Sequence, residues 1–300
     1  MALIINHNMM AMNASRNLGT AYSRLETSVR KLSSGLRIGT AADDAAGLAI
    51  RELMRADIAS LNQGIRNASD AISMIQTADG ALQVIDEKLI RMKELAEQAA
   101  TGTYNSDQRL MIESEYQAMA SEITRIANST DFNSVHLLNG NLSGDDYGSN
   151  HNGTGLVSQG ALKVHFGAGN DSAEDYYYIN IGNSTASALG VGNQSAQNAG
   201  YSISTQQAAQ VALDALNEAI ISKDKIRAHL GALQNRLENT ISNLQIQAEN
   251  IQAAESRISD VDVSTEMTEF VRNQVLSQAG VAMLSQANSL PQMALQLIGG

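Results

Sequence analysis

The sequence has no cysteine and no tryptophan, a single proline, and aromatic residues at only 4% of its 300 positions. The absence of cysteine excludes disulfide bonds and thiolate metal sites. Aromatic side chains supply much of the buried area in compact cores, so this chain must bury aliphatic and small side chains instead. Proline inside a helix costs about 3 kcal/mol, and the only proline is Pro291. The composition therefore predicts long, uninterrupted helices.

Other missing features exclude whole classes of function. The net charge is −11, whereas nucleic-acid binding requires a basic surface. Residues 1–15 carry no lysine or arginine, so we expect no secretory signal peptide. Asparagine and glutamine interrupt every apolar stretch of residues 273–300, so we expect no membrane span. No nucleophile motif, phosphate-binding loop or metal-ligand spacing occurs, and we predict neither an enzyme nor a cofactor.

Two long segments carry apolar residues at every seventh position, a spacing typical of a coiled-coil seam. These seam positions are Leu61, Ile75, Leu82 and Leu89 in the first segment and Leu230, Leu237, Leu244 and Ile251 in the second. A narrow seam of this kind is buried only against another helix. We therefore predict a mainly α fold, a long antiparallel coiled-coil bundle formed by the N- and C-terminal halves.

Shorter signals place the helix boundaries. A brief seam of leucines at every seventh position, from Leu18 to Leu32, ends at Gly35. The sequence Thr40-Ala-Ala-Asp43 has the form of a capping box, which predicts the start of the next helix. Further helices are predicted from about 106 to 128, from about 204, and in the last segment through about residue 284.

The middle of the chain has a different character. Residues 140–200 contain 12 of the 23 glycines. Two β-prone runs, ALKVHF at 161–166 and YYYINI at 176–181, flank a loop rich in glycine, asparagine and aspartate, which predicts a β-hairpin. Because the segment is short and polar, we expect it to lie on the surface as an elaboration.

These boundaries predict five segments. They are an N-terminal helix at 1–42 that pairs with a C-terminal helix at 259–300, the two halves of a helical domain at 43–140 and 204–258, and a variable hairpin region at 141–203. Residues 1–42 carry a net charge of +4 and residues 259–300 one of −3, which favours their pairing. The uncharged ends, 1–15 and 273–300, are expected to fray until they meet a neighbouring copy.

Several motifs resemble those of bacterial flagellins. They are KLSSGLRIGTAADDAAGLAI at 31–50, SMIQTADGAL at 73–82, LGALQNRLENTISNL at 230–244, AAESRISDVD at 253–262 and SQANSLPQMALQLI at 285–298. The resemblance covers roughly residues 1–140 and 202–300, and the segment between them is the one that flagellins vary. It implies a short flagellin without the large outer domains. In it, 1–42 and 259–300 form the inner helical tube and 43–258 the layer around it.

The same resemblance implies a function and partners. The chain would be a structural subunit that polymerises into the extracellular flagellar filament after export through the flagellar type III channel. An export chaperone would hold its C-terminal helices, and the filament cap and hook-junction proteins would be its neighbours. One alternative is a hook–filament junction protein, although the intact motif at 285–298 favours the subunit. Another is a coiled-coil adaptor that forms a discrete oligomer.

Residues 90–96 are similar to the flagellin segment that vertebrate Toll-like receptor 5 recognises. The resemblance places Arg91, Leu95 and Glu115 at contact positions. Lys93 stands where arginine is expected, and lysine cannot form the same bidentate pairs. Alternatively, Arg91 and Glu115 contact neighbouring subunits and Leu95 is a packing residue. The two interpretations are compatible, because the family's receptor site overlaps the filament interface.

Overall fold

The computed structural model describes residues 8–143, 160–171, 174–192 and 202–298. Within these ranges the chain forms five helices and four short strands. The helices are α1 (Met9–Ser34), α2 (Ala45–Ala100), α3 (Ser106–Ser129), α4 (Gln206–Ser259) and α5 (Val263–Ile298). The strands are β1 (Asp131–Phe132), β2 (Val135–His136), β3 (Leu162–His165) and β4 (Tyr176–Ile179). The predicted mainly α fold with a small hairpin region is confirmed.

The chain divides into two compact units. The first, which we call the terminal unit, consists of Met1–Ile58 and Glu249–Gly300. The second, the central unit, consists of Ala59–Ala248. Helices α2 and α4 each contribute residues to both units, because their sequences run without a break across the two boundaries.

Local side-chain and backbone chemistry sets the ends of α1. The side chain of Asn8 accepts a hydrogen bond from the Ala11 N–H at 3.0 Å, which satisfies one of the free donors of the first turn. At the other end Gly35 has a φ of +73° and donates its N–H to the Lys31 carbonyl. Glycine adopts this left-handed conformation without strain, so the predicted stop at Gly35 is confirmed.

The predicted capping box Thr40-Ala-Ala-Asp43 does not begin α2, so this prediction is wrong about which residue caps the helix. Asp44 is the residue that caps α2, since its carboxylate accepts the N–H groups of Ala46 and Gly47 at 3.1 and 3.0 Å. Asp43 instead closes the turn before the helix by accepting the Thr40 N–H at 2.9 Å. The hydrogen bonds that Asp43 accepts also lower the pKa of its carboxyl, and the bond from the Thr40 backbone contributes most. Asp44 therefore caps α2, and Asp43 closes the turn that precedes it.

Helix α3 has the bounds that were predicted for it, whereas α5 is longer than predicted. The bounds of α3 agree with the prediction, and it carries a capping box in which Asn105 and Gln108 bond each other's backbone N–H at 2.8 and 3.1 Å. Helix α5 extends to Ile298, well beyond the predicted end near Leu284. The glutamines and asparagines of this stretch are compatible with a helix.

In the central unit, α2 and α4 pair antiparallel. Asp79 meets Arg227 and Asp86 meets Lys223, so positions rise along one helix as they fall along the other. Of the eight seam residues, seven are buried and Ile251, in the terminal unit, is partly exposed. The central core also includes side chains from α3 and the hairpins.

The two strand pairs are both antiparallel hairpins. Asn133 and Ser134 connect β1 to β2 with positive φ values of 51° and 65°, as a tight type I′ turn requires. Strands β3 and β4 pair from Leu162 with Ile179 to His165 with Tyr176. This second hairpin is the one that the sequence predicted.

The expectation that the middle region is a surface elaboration is wrong. Ile179, Ile181 and Val191 are fully buried and belong to the same core cluster as the seam residues of α2 and α4. The hairpin also packs closely on α2, where a Cβ on Gly64 would lie 1.9 Å from the Phe166 carbonyl oxygen. Alternating apolar residues of the hairpin thus complete the core of the central unit, although the segments around them are polar.

Candidate assembly and contact surfaces

Helices α1 and α5 of the terminal unit run antiparallel. Asn8 donates a hydrogen bond to the Ala287 carbonyl at 2.7 Å, near the start of α1 and the end of α5. Lys31, near the end of α1, lies 3.8 Å from Glu266, near the start of α5. The sequence predicted that these oppositely charged segments pair. Among the described residues, one ion pair joins them, between Lys31 and Glu266.

Small residues form the contact between these two helices. Ala21 and Ser28 are the buried residues of α1, seven positions apart. On α5, Asn273 and Ala287 are buried, and a Cβ on Gly280, midway between them, would lie 3.1 Å from the Leu18 side chain. The leucines of the predicted α1 seam lie only partly buried beside this line. Small side chains let the helix backbones approach closely and leave the larger side chains facing outward.

The backbone joins the two ends of the terminal unit as well. Leu36 and Asp260 form an antiparallel bridge. The Arg37 guanidinium donates two hydrogen bonds to the Ile258 carbonyl, at 2.6 and 3.1 Å. The backbone N–H of Arg37 donates to the Ser259 carbonyl at 2.7 Å. A carbonyl at the end of α4 is thereby satisfied by a cation, which the helix dipole favours.

The outward faces of α1 and α5 carry exposed large apolar side chains. On α1 these are Met9, Met10, Met12, Tyr22 and Val29. On α5 they are Val263, Met267, Val271, Val275, Leu276, Val281, Met283 and Met293. We call this set the terminal apolar surface. Exposed apolar surface of this extent marks a site of association.

Sequence reasoning identified the ends as uncharged but missed which side chains would be exposed. The missed signal was the spacing of small residues on α5. Asn273, Gly280 and Ala287 repeat every seven positions and face α1, which directs the valines and methionines between them outward. Exposure of a valine or methionine is costly in a free subunit, and this is a physical reason for a partner.

Arg91 lies on the surface of the central unit and forms two ion pairs. Its guanidinium lies 2.8 Å from Glu115 of α3 and 2.9 Å from Glu94 of its own helix. The hydrogen bond with Glu115 is the first cause of a raised pKa of Arg91. Because all three side chains are largely exposed, the pairs stabilise the fold little. They place the Arg91 guanidinium beside carboxylates from two helices.

Leu95 takes a different position from Arg91 and Glu115. Its side chain is 2% exposed and belongs to the central core, so it supports the surface around Arg91 from beneath rather than lying on it. Lys93 is exposed. The structure therefore brings Arg91 and Glu115 together at the surface, with Leu95 one helical turn along α2 and inside.

A second group of charges lies between α2 and α4 and was not predicted. Lys223 is 1% exposed, and its ammonium lies 2.6 Å from Asp86 and 2.7 Å from Asp224. One turn along, Arg227 lies 2.7 Å from Asp79. Charge spacing on each helix was the available signal, but the register between the helices was needed to pair the residues.

Among the described residues, no cluster of three or more histidine or acidic side chains could hold a metal ion. No helix in this part of the chain is long and apolar enough to cross a lipid bilayer.

The chain matches two family models. Residues 5–143 match the bacterial flagellin N-terminal helical region, and residues 213–298 match the bacterial flagellin C-terminal helical region. Together the two matches cover well over half of the chain. The region between them contains the β3–β4 hairpin.

Full-length relatives show the same relationship. The flagellar filament 33 kDa core protein of Treponema phagedenis is 43% identical over 299 residues, covering 99% of this chain and all of the relative. Flagellin FlaB2 of Treponema pallidum is 41% identical over 299 residues, with the same coverage. Flagellin of Halalkalibacterium halodurans is 42% identical over 298 residues, again with 99% and 100% covered.

Paired terminal helices with an apolar outer surface, joined to a packed helical unit, define a helical structural protein built for association. The family matches and the full-length relatives then identify its kind. The chain belongs to the bacterial flagellin family, in a short form whose members are structural proteins and not enzymes. None of the relatives quoted above is named as a junction protein, and the hook–filament junction alternative is not supported.

Proposed function

We propose that this chain polymerises into the bacterial flagellar filament, outside the cell, and that the filament acts as a propeller. The observation that carries the proposal is the terminal apolar surface on α1 and α5. The names of the relatives, a flagellar filament core protein and flagellins, support the same assignment.

The geometry of association favours an open polymer. A contact between one surface and a different surface on the next copy does not close, and it produces a helical filament. The exposed apolar residues lie on both α1 and α5, so each subunit offers two helices for contacts with different neighbours. We propose that 1–42 and 259–300 line the inner tube, that 43–140 and 204–258 form the surrounding layer, and that 141–203 is the variable region.

The same surface gives a reason for escort before assembly. A free subunit in the cell would expose valines and methionines along α5, which favours non-specific association. We propose that an export chaperone covers the C-terminal helices and that the chain leaves through the flagellar type III channel. It would then join the filament beneath the cap, with hook-junction proteins at the filament base.

The surface around Arg91 supports a second contact. Toll-like receptor 5 would bind there, with Arg91 and Glu115 as direct contacts and Leu95 as the packing residue beneath them. Arg91 forms ion pairs with Glu115 and Glu94, and we infer that these pairs favour one orientation of its guanidinium. A pre-positioned side chain loses less conformational entropy on binding.

Seeded assembly tests the filament function. Purified subunit is mixed with filament fragments, and elongation is followed by electron microscopy and light scattering. The full chain should elongate the fragments, whereas a chain without residues 273–300 should stay monomeric and keep the helical content of the central unit. A full chain that forms only a small discrete oligomer would instead support the coiled-coil adaptor.

A further inference from the structure

Methionine is unevenly distributed over the surface of this protein. Among the described residues, seven methionines are exposed, and six of these lie on α1 and α5. These six, Met9, Met10, Met12, Met267, Met283 and Met293, are called here the terminal methionines. The seventh, Met111, lies on α3 in the central unit, while Met74 and Met92 are buried in its core.

Two of the terminal methionines share a groove. Met10 of α1 and Met283 of α5 both line a space of about 420 Å³, together with Asn13, Ala14 and Gly280. Exposed fractions of 55% for Met10 and 66% for Met283 leave both side chains open to solutes. The groove interrupts the terminal apolar surface, so a change in either side chain alters the surface that a neighbouring copy would meet.

The composition makes methionine the main target of oxidation in this chain. The chain has no cysteine and no tryptophan, so methionine sulfur is its most readily oxidised group. Oxidation to the sulfoxide converts a flexible apolar side chain into a polar one. Susceptibility follows exposure, which places the terminal methionines and Met111 ahead of Met74 and Met92.

We propose that the terminal methionines are a modification site, where oxidation by peroxide prevents the free subunit from joining a filament. The inference rests on the proposed filament function. In the reaction, a sulfur lone pair attacks one oxygen of hydrogen peroxide and the O–O bond breaks. An S–O bond forms, the sulfur loses two electrons, and the departing hydroxide takes the remaining proton and leaves as water.

The effect on assembly follows from desolvation. A thioether that becomes buried between two copies gains from leaving water. A sulfoxide oxygen is a strong hydrogen-bond acceptor, and burying a polar group without a partner is unfavourable. Six such changes on one association surface oppose burial together, whereas a single sulfoxide at Met111 lies outside that surface.

Mass spectrometry tests the first half of the proposal. Monomer and assembled filament are treated with hydrogen peroxide, digested, and measured for sulfoxide at each methionine over time. In the monomer, the terminal methionines and Met111 should oxidise first, at least about tenfold faster than Met74 and Met92. Filaments should protect the terminal methionines. Equal oxidation rates in monomer and filament would overturn the proposal.

Seeded elongation tests the second half. Oxidised subunit should need at least about a tenfold higher concentration to elongate fragments, a change that corresponds to about 1.4 kcal/mol. A variant with all six terminal methionines changed to leucine should elongate equally well before and after peroxide, because leucine has a similar volume. Met111→Leu is the matched control and should remain sensitive to peroxide.

Two further outcomes keep the inference separate from the filament function. If untreated wild-type subunit fails to elongate fragments, the filament function fails and the inference falls with it. If untreated and fully oxidised subunits elongate alike, only the inference fails. Should the six-leucine variant not assemble, methionine sulfoxide reductases decide the matter. They should restore elongation of the oxidised wild type, and elongation that stays lost after the sulfoxides are reduced would contradict the proposal.

Discussion

Lys223 and Asp86 form an ion pair across the two long helices of the central unit, in which the lysine is buried and the carboxylate is partly exposed. The ammonium lies 2.6 Å from the carboxylate, the lysine is 1% exposed, and 137 residues separate the two in the sequence. Apolar seams allow two helices to slide by one heptad, because every seventh position looks alike. A buried lysine needs a carboxylate opposite it, and only one register places Asp86 there, so this pair specifies how α2 and α4 align.

Changing Lys223 to alanine should destabilise the central unit by about 1–3 kcal/mol, because the buried lysine stem loses its packing and Asp86 loses its ion-pair partner. Urea unfolding followed by circular dichroism measures the change. Lys225→Ala, at an exposed position two residues along the same helix, is the control and should stay within about 0.5 kcal/mol of the wild type. Equal unfolding midpoints for the two variants would contradict the role given to Lys223.

Asp79 should make part of the stability depend on pH. A hydrogen bond from Arg227, followed by the charge of Arg227, lowers the pKa of Asp79 from its ordinary value of 3.8. A lowered folded-state pKa gives stability that is full above the unfolded value and is lost as the pH falls through the folded value. The contribution is under about 1 kcal/mol, since both side chains are about one third exposed.

The measurement compares the wild type with Asp79→Asn by urea unfolding between pH 7 and pH 3. The wild type should be the more stable protein by a constant amount above about pH 5, and the difference should shrink below the ordinary aspartate value. Asp70→Asn removes another aspartate from the same helix as a control. A difference that grows as the pH falls would reverse the expected sign.

Gly64 should tolerate no side chain. A Cβ at this position would lie 1.9 Å from the Phe166 carbonyl oxygen, so Gly64→Ala must push the β3–β4 hairpin away from α2. A loss of about 1–3 kcal/mol is expected. Gly80 lies on the same helix with no atom within 4 Å of the added Cβ. Gly80→Ala should therefore stabilise α2 by up to about 1 kcal/mol, and two substitutions of the same sign would argue against the packed hairpin.

Arg91→Ala should reduce activation of Toll-like receptor 5 by the monomer at least about tenfold, because it removes an exposed, pre-positioned cation from the proposed contact. A reporter cell line carrying the receptor measures the response. Arg125 is the matched control, since it is also an exposed arginine paired with a glutamate on its own helix. An unchanged response to Arg91→Ala, with helical content retained, would remove receptor recognition from the account.

The sequence was sufficient to predict the long helices because apolar residues recur at every seventh position along them. Leu82 and Leu89, for example, are both fully buried at predicted seam positions. The start of α2 was misplaced, because the capping box would put the cap at Thr40, whereas Asp44 is the residue that caps the helix. Helix existence is a repeated signal, whereas a boundary depends on a single residue.

Two features lay beyond the sequence for a different reason. Burial of Ile179 and Ile181 depends on where the hairpin packs, and the glycine-rich composition around them suggested a solvent-facing segment. The exposed face of α5 likewise depends on which side contacts α1. The small residues around Gly280 determine which side of α5 contacts α1. Such residues are not recognised when a sequence is searched for large apolar positions.

The most direct test of the account is whether the terminal apolar surface drives assembly. Val275 on α5 and Leu110 on α3 are similarly exposed, at 58% and 56%, so Val275→Asp and Leu110→Asp place the same charge on the two units. Rates of seeded elongation are measured by light scattering at equal subunit concentration. Val275→Asp should slow elongation at least about tenfold more than Leu110→Asp, because a charge buried at the subunit contact is strongly unfavourable. Equal elongation rates for the two variants, or a slower rate for Leu110→Asp, would contradict the account.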